Sequence, residues 1–286
     1  MSNLEVFIKN ILVLAAIICL CQCKKESETS YSNEDIVRDN AQAALYFHTI
    51  FCEAENVWAY IDSMDYSEGV YKDPSNASTV YREMQCTADE VRNTVIVEYH
   101  GWKSGNLSLA GKMRVVFLND SSYRKNGMAA NVYLDDFSIN GQDVVGESSI
   151  KFTGNKEKDL YTFTLLNGSA IYELGNSNSA LISGAISNGQ YERVEGRETF
   201  SPDDDVWSFY GVMTGQLRND PTLKYTNTVS ATYTENGERK DGKVYYNMNC
   251  PTAREGISQI KISGRSEIWF EYLCSGYGFV TVKHVY

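Results

Sequence analysis

Asn131-Val132-Tyr133-Leu134-Asp135-Asp136-Phe137-Ser138-Ile139-Asn140-Gly141-Gln142-Asp143-Val144-Val145-Gly146 is the stretch whose reading decides the fold class. Asn140-Gly141 suits a two-residue type I′ turn, because both central residues need positive φ and asparagine and glycine tolerate it best. Such a turn sets Ile139 against Gln142 and Phe137 against Val144. Phe137 and Val144 then share a face, whereas Val132 and Leu134 have the opposite parity. Both sets reach one core only if the strand carries a bulge or break near Asp135-Asp136.

The same grammar recurs outward from this hairpin. Asn126-Gly127, Asn167-Gly168, Asn188-Gly189, Asn236-Gly237 and Asp241-Gly242 each lie between strand-like runs, as an antiparallel meander requires. A turn at Asn167-Gly168 pairs Leu165 with Ala170, Phe163 with Tyr172 and Tyr161 with Leu174, all on one face. A turn at Asn188-Gly189 pairs Ile186 with Tyr191. Further strands are expected at 94–100, 112–118, 206–217, 223–234, 243–249, 257–263, 267–273 and 279–285. No strand-helix-strand alternation occurs, so a parallel α/β sheet is not expected. The fold class is mainly β: an antiparallel meander over residues 79–286, as one extended twisted sheet or two stacked sheets.

Upstream of the sheet, the period changes from two to three or four. Val37, Ala41, Ala44, Phe47, Phe51, Ala54, Trp58 and Ile61 form an apolar stripe, preceded by a capping signal at Ser32-Asn33-Glu34-Asp35. This predicts an amphipathic helix over 33–64, laid with its stripe on the sheet. Residues 65–77, with Gly69, Pro74 and Asn76, read as loop.

The N-terminus reads as an export signal over 1–22. Lys9 is followed by the apolar run 11–20, which is too short to span a bilayer as a stable helix. Cys21, Gln22, Cys23 and the polar run 24–30 come next, an abrupt change from apolar to charged. The leader resembles that of bacterial lipoproteins, in which a cysteine becomes the first mature residue and carries the lipid, palmitate being an expected acyl chain. Leu20, three residues before Cys23, favours Cys23 as the lipidation site, with Cys21 as the fallback because Gln22 departs from the small residue expected there. Residues 23–32 then form a flexible tether. An ordinary secretory signal is the alternative. The expected location is the cell envelope, anchored to the outer membrane at its periplasmic face or the cell surface.

Four cysteines remain beyond the leader: Cys52, Cys86, Cys250 and Cys274. An oxidising compartment permits disulfides in three connectivities. Cys250 with Cys274 is the candidate local pair, and free buried thiols are the alternative.

The order of elements resembles a group of uncharacterised lipoproteins from Bacteroides-type bacteria. The shared features are the leader, Asp39-Asn40-Ala41-Gln42-Ala43 in the helix, Cys86 before the first strands, Gly111-Lys112, the segment Asp135 to Gly141 with Gly146 following, and Cys250 with the run Tyr272 to Gly278. In that group the last cysteine follows the glycines, whereas Cys274 precedes them, so the resemblance implies no disulfide pairing. It implies an envelope compartment and a β-rich fold, and it carries over no activity.

Catalytic signatures are not found in the sequence. The net charge of −11 offers no basic field for a phosphate backbone, so nucleic acid is not an expected partner. His48, His100 and His284 have no zinc-binding spacing, and His48 is expected to pack. No nucleophile elbow, phosphate loop or dinucleotide fingerprint occurs. No catalytic residue, metal ligand or cofactor is assigned. Asp203-Asp204-Asp205 reads as a solvated turn rather than a calcium loop, which would space its ligands at alternate positions. Asp135 and Asp136 are adjacent on a strand and point to opposite faces, so they cannot act together on one glycosidic bond. The ring-bearing residues Trp102, Trp207, Tyr210, Tyr225, Tyr233, Tyr245, Tyr246, Trp269, Tyr272 and Tyr277 suit either a core or a sugar- or peptide-binding surface. The expected function is a non-catalytic envelope lipoprotein, structural or ligand-binding, attached to the membrane by its lipid, with a glycan or envelope protein as partner. The competing expectation is a hydrolase of glycans or peptides whose site is assembled from distant strands.

Overall fold

The computed structural model describes residues 33–63, 69–74, 81–88, 93–118, 127–155, 158–174, 178–196, 204–217, 222–247, 249–250, 253–265, 267–274 and 279–285. The leader, Cys21, Cys23, the tether and Tyr277 lie outside them. Among the described residues one helix, α1 (Asn33–Ser63), precedes sixteen strands. These are β1 (Gly69–Pro74), β2 (Tyr81–Ala88), β3 (Asn93–Ser104), β4 (Leu107–Phe117), β5 (Ala129–Ile139), β6 (Gln142–Phe152), β7 (Leu160–Leu174) and β8 (Asn178–Glu195). They continue as β9 (Val206–Leu217), β10 (Lys224–Val229), β11 (Thr232–Glu235), β12 (Glu238–Asp241), β13 (Val244–Tyr246), β14 (Glu255–Ile262), β15 (Ile268–Leu273) and β16 (Phe279–Val285).

The protein is mainly β, with one large antiparallel sheet and an N-terminal helix. Strands β1 to β10 pair consecutively. β14 follows β10, then β15 and β16, and β13 joins both β9 and β14, giving one 14-stranded sheet. β11 and β12 form a separate hairpin. The single extended sheet, not two stacked ones, is therefore the arrangement adopted. It begins earlier than the sequence suggests: β1 lies within the segment read as loop, where its pairing with β2 outweighs the turn residues around it. The run 223–234 divides into β10 and β11.

The expected N-terminal helix forms, and it is covered on more than its apolar stripe. Every residue from Ala43 to Glu55 is buried, and thirteen consecutive helical residues point in all directions around the axis. A helix covered all round is an interior element, so the sheet curls about it. Trp58 packs on Phe117 of β4, at 4.8 Å between ring centroids. Phe51 meets Tyr161, Phe163, Tyr191 and Trp207 of β7, β8 and β9. His48 stacks on Tyr246 of β13.

The curl comes from bulges that recur on neighbouring strands. Register shifts fall at His100/Trp102, Ala110/Lys112, Tyr133/Ser138, Val145/Glu147, Leu165/Gly168 and Ser187/Gln190. Each adds local twist and bends its strand. In the opening hairpin, Asn140 and Gly141 have φ of 54° and 74°, as a type I′ turn demands, and Asp136 takes φ 48° inside the bulge. Val132 and Phe137, five residues apart, are both buried while Asp135 and Asp136 face solvent. The break expected near Asp135-Asp136 thus resets the phase. Gly111 on β4 sits against it with φ 94°, where a Cβ would lie 2.0 Å from the Asp136 carbonyl oxygen, so only glycine fits.

Two of the expected turns are not turns. β7 runs straight through Asn167-Gly168, with Leu165 opposite Ile186 and Gly168 opposite Gly184. β8 likewise runs through Asn188-Gly189, placing Phe163 opposite Gly189. Neither Gly168 nor Gly189 has the positive φ of a type I′ turn. Their use is room: a Cβ would come within 2.4 Å of Leu165 Cδ2 at Gly168 and 2.7 Å of Phe209 Cε2 at Gly189. Glycine in a strand marks a bulge or a close approach as well as a turn. Long bulged strands that enclose the helix bury Tyr161, Phe163 and Leu165 where a short hairpin would have ended. The Asn236-Gly237 turn, by contrast, forms as expected, with φ 51° and 82°.

Candidate functional site

The interior around α1 contains polar groups that the sequence gives no reason to bring together. Glu55 lies on α1, Asp159 just before β7, Arg193 near the end of β8 and Asp205 just before β9. The Arg193 guanidinium joins them. Its Nη2 is 2.5 Å from Glu55 Oε1, its Nη1 3.4 Å from Asp205 Oδ1 and its Nε 3.7 Å from Asp159 Oδ2. The four side chains are at most 5% exposed. Below the guanidinium lies the Trp207 ring, 4.5 Å to the centroid. Arginine suits this position because its planar fork offers several donors and stacks on an aromatic face.

Further hydrogen bonds set the geometry. Tyr161 donates its hydroxyl to Glu55 Oε1 at 3.0 Å, and the Arg193 backbone N–H donates to the Asp159 carbonyl at 3.1 Å. Asn247 Nδ2 donates to the Asp205 carbonyl at 3.0 Å. Burial pushes the Asp205 carboxyl up to about 7. The charges of Glu55 and Asp204 act in the same direction, while Arg193 and a hydrogen bond from Trp207 act against them. The solvated-turn reading of 203–205 is corrected at this residue. Asp204 is exposed, but Asp205 turns inward because Arg193 is there to receive it.

A second buried group lies one helical turn away. Cys52 Sγ is 3.2 Å from His48 Nε2, and the His48 ring stacks on Tyr246 at 4.3 Å and Tyr191 at 5.3 Å. Burial lowers the His48 pKa to about 3 and raises the Cys52 thiol well above its usual range. A nucleophilic pair needs the opposite shifts, towards thiolate and imidazolium. This pair is a neutral packing contact, as expected for His48. Nearer the start of α1, Asn227 Nδ2 donates to Asn40 Oδ1 at 2.6 Å. Glu53 accepts from the Tyr99 hydroxyl at 3.1 Å. Tyr46 bonds to Asn140, so the turn of the opening hairpin also touches the helix.

A small cavity between Ala44, Ile186, Tyr191, Phe209, Met213 and Asn227 has a volume of about 10 Å³. That is room for about one water molecule, whereas ligand sites run to about 300 Å³ or more. Among the described residues no group of three or more His, Cys, Asp or Glu is placed to hold a metal ion.

The aromatic candidates divide clearly. Trp207, Tyr225, Tyr246 and Tyr272 are core residues. Trp102, Tyr233, Tyr245 and Trp269 are half-buried, and Tyr210 is the most open, at 36%. Tyr233 and Trp269 lie 6.2 Å apart at 49°, too tilted for a flat stacking platform.

Cys250 and Cys274 are joined, with Cα atoms 5.4 Å apart, a normal disulfide span. The bond ties the segment before β14 to the end of β15, reinforced by the Cys274 N–H donating to the Arg254 carbonyl at 2.9 Å. Cys52 is a free, buried thiol. Because the disulfide spans 24 residues, replacing both cysteines by serine is expected to cost about 3 kcal/mol through the freedom returned to the unfolded chain. Urea unfolding of the double variant against wild type measures this.

Sequence reasoning missed Glu55, Asp159 and Arg193. The one available signal was on the helix, where Glu53 and Glu55 stand among apolar residues on every side. Asp159 and Arg193 carry no such mark. Comparison with known protein families, with characterised proteins and with solved structures finds no match to this chain.

Proposed function

We propose that this protein is an exported lipoprotein of the cell envelope, anchored to the outer membrane through Cys23, with a folded part that serves a structural or ligand-binding role without catalysis. One observation carries the non-catalytic reading. Among the described residues, a concentrated set of ionisable side chains, Glu55, Asp159, Arg193 and Asp205, is enclosed and committed to holding α1 inside the sheet. A hydrolase would present two carboxylates in a cleft with room for a sugar and a water. Here the carboxylates meet an arginine, and their side chains are at most 5% exposed. The anchor rests on the leader sequence and on the resemblance to lipoproteins of Bacteroides-type bacteria. The outer face of the sheet is then the surface offered to a glycan or an envelope protein.

Cys23→Ala is expected to move the protein from the membrane fraction to the soluble fraction, with Cys21→Ala leaving it anchored. Mass spectrometry of the mature N-terminus checks the same point directly. An unacylated N-terminus at another residue would overturn the lipoprotein reading. A glycan array probed with the full chain in detergent separates a sugar ligand from a protein partner.

A further inference from the structure

The Arg193 cluster has a property that a simple buried ion pair lacks: three carboxylates from three separate chain segments share one guanidinium. Glu55 has the closest approach and a second donor in Tyr161. Asp159 is bound through its backbone as well, by the Arg193 N–H. Asp205 lies 3.4 Å from the guanidinium, between Glu55 at 2.5 Å and Asp159 at 3.7 Å, and it sits where β9 begins. The groups facing it are Glu55 and Cys52 from α1, Arg193 from β8, Asp159 from the turn before β7, and Asp204 and Trp207 from its own segment. Gly196 closes over it on the remaining side, where a Cβ would lie 2.3 Å from Asp205 Oδ1.

We propose that this cluster is a proton-dependent clasp: neutral Asp205 lets the start of β9 close on α1 and β8, and its ionisation sets another negative charge beside Glu55 and loosens that junction. The physical basis is burial without a dedicated counter-charge. A carboxylate taken out of water needs a close cation, and the nearest one is already engaged at shorter range by Glu55. Loss of the proton is then unfavourable in the folded chain and free of penalty in the unfolded one.

The sign follows from the raised value. Asp205 in the folded protein keeps its proton up to about 7, whereas the unfolded chain releases it near 3.8. Between those values the folded state binds more protons, so this group's contribution is fully present below 3.8, falls as pH rises, and is lost above about 7. One proton corresponds to at most about tenfold in the folding constant per pH unit.

Two measurements on the full chain in detergent micelles test the clasp. In protein labelled with ¹³C-aspartate, the Asp205 carboxyl carbon is expected to titrate near neutrality. A midpoint in the ordinary aspartate range would overturn the proposal. In urea unfolding, Asp205→Asn mimics the neutral acid and cannot ionise. The ratio of the wild-type folding constant to that of Asp205→Asn is expected to fall at least tenfold between pH 4 and pH 8. A constant ratio would overturn the coupling, and a rising one would show an ordinary ion-paired aspartate. The wild-type titration decides the question even where the variant does not fold.

Discussion

Phe51→Ala is expected to destabilise the fold by about 3–5 kcal/mol, the cost of removing a large aromatic side chain from a packed core. Phe51 is fully buried and sits where three strands meet the helix. It stacks on Tyr191 with centroids 4.1 Å apart and planes 10° from parallel. It makes edge contacts with Trp207 at 4.9 Å, Tyr161 at 5.5 Å and Phe163 at 5.8 Å. Each such aromatic pair is worth about 0.5–1.5 kcal/mol beyond its area burial. The rings cannot collapse into the space left behind, because β7, β8 and β9 are fixed to one another by their ladders. Urea unfolding followed by tryptophan fluorescence measures the loss, with exposed Lys261→Ala, expected within about 0.5 kcal/mol of wild type, as the control. A loss below about 1 kcal/mol would mean that α1 is not the centre of the core.

Arg193→Met is expected to cost a comparable amount, about 3–5 kcal/mol, for a different reason. Methionine nearly fills the volume, so the loss arises chiefly from Glu55 and Asp159 being left without their shared cation. The distinction can be measured. If charge is responsible, adding Glu55→Gln to Arg193→Met recovers part of the stability, and the double-mutant cycle shows coupling above about 0.5 kcal/mol. If packing is responsible, the two losses add. Arg193→Lys is expected to fall between wild type and methionine, since one compact ammonium cannot reach three carboxylates in a fork and cannot stack as well on Trp207.

The parts of this structure that were legible in the sequence are local. The Asn140-Gly141 and Asn236-Gly237 turns form as the residues dictate, because positive φ at adjacent positions is a steric matter settled within the dipeptide. The phase break at Asp135-Asp136 was legible too, since parity along one strand is counted residue by residue. The period of α1 marked it as a helix. The Asn-Gly pairs at 167–168 and 188–189 show the limit of this reading. The same dipeptide serves a turn or the close approach inside a bulged strand, and which it serves depends on whether neighbouring strands continue past it.

Composition and local pattern thus determined that a helix is followed by antiparallel strands, where several strands reverse, and where one of them must bulge. Tertiary structure alone decided that the sheet curls around the helix. Curling requires bulges on successive strands to coincide, and coincidence is a property of register across hundreds of residues. It also decided the fate of the charges. Glu55, Asp159, Arg193 and Asp205 look like surface residues one at a time, and their burial is tolerable only once four distant segments bring them together.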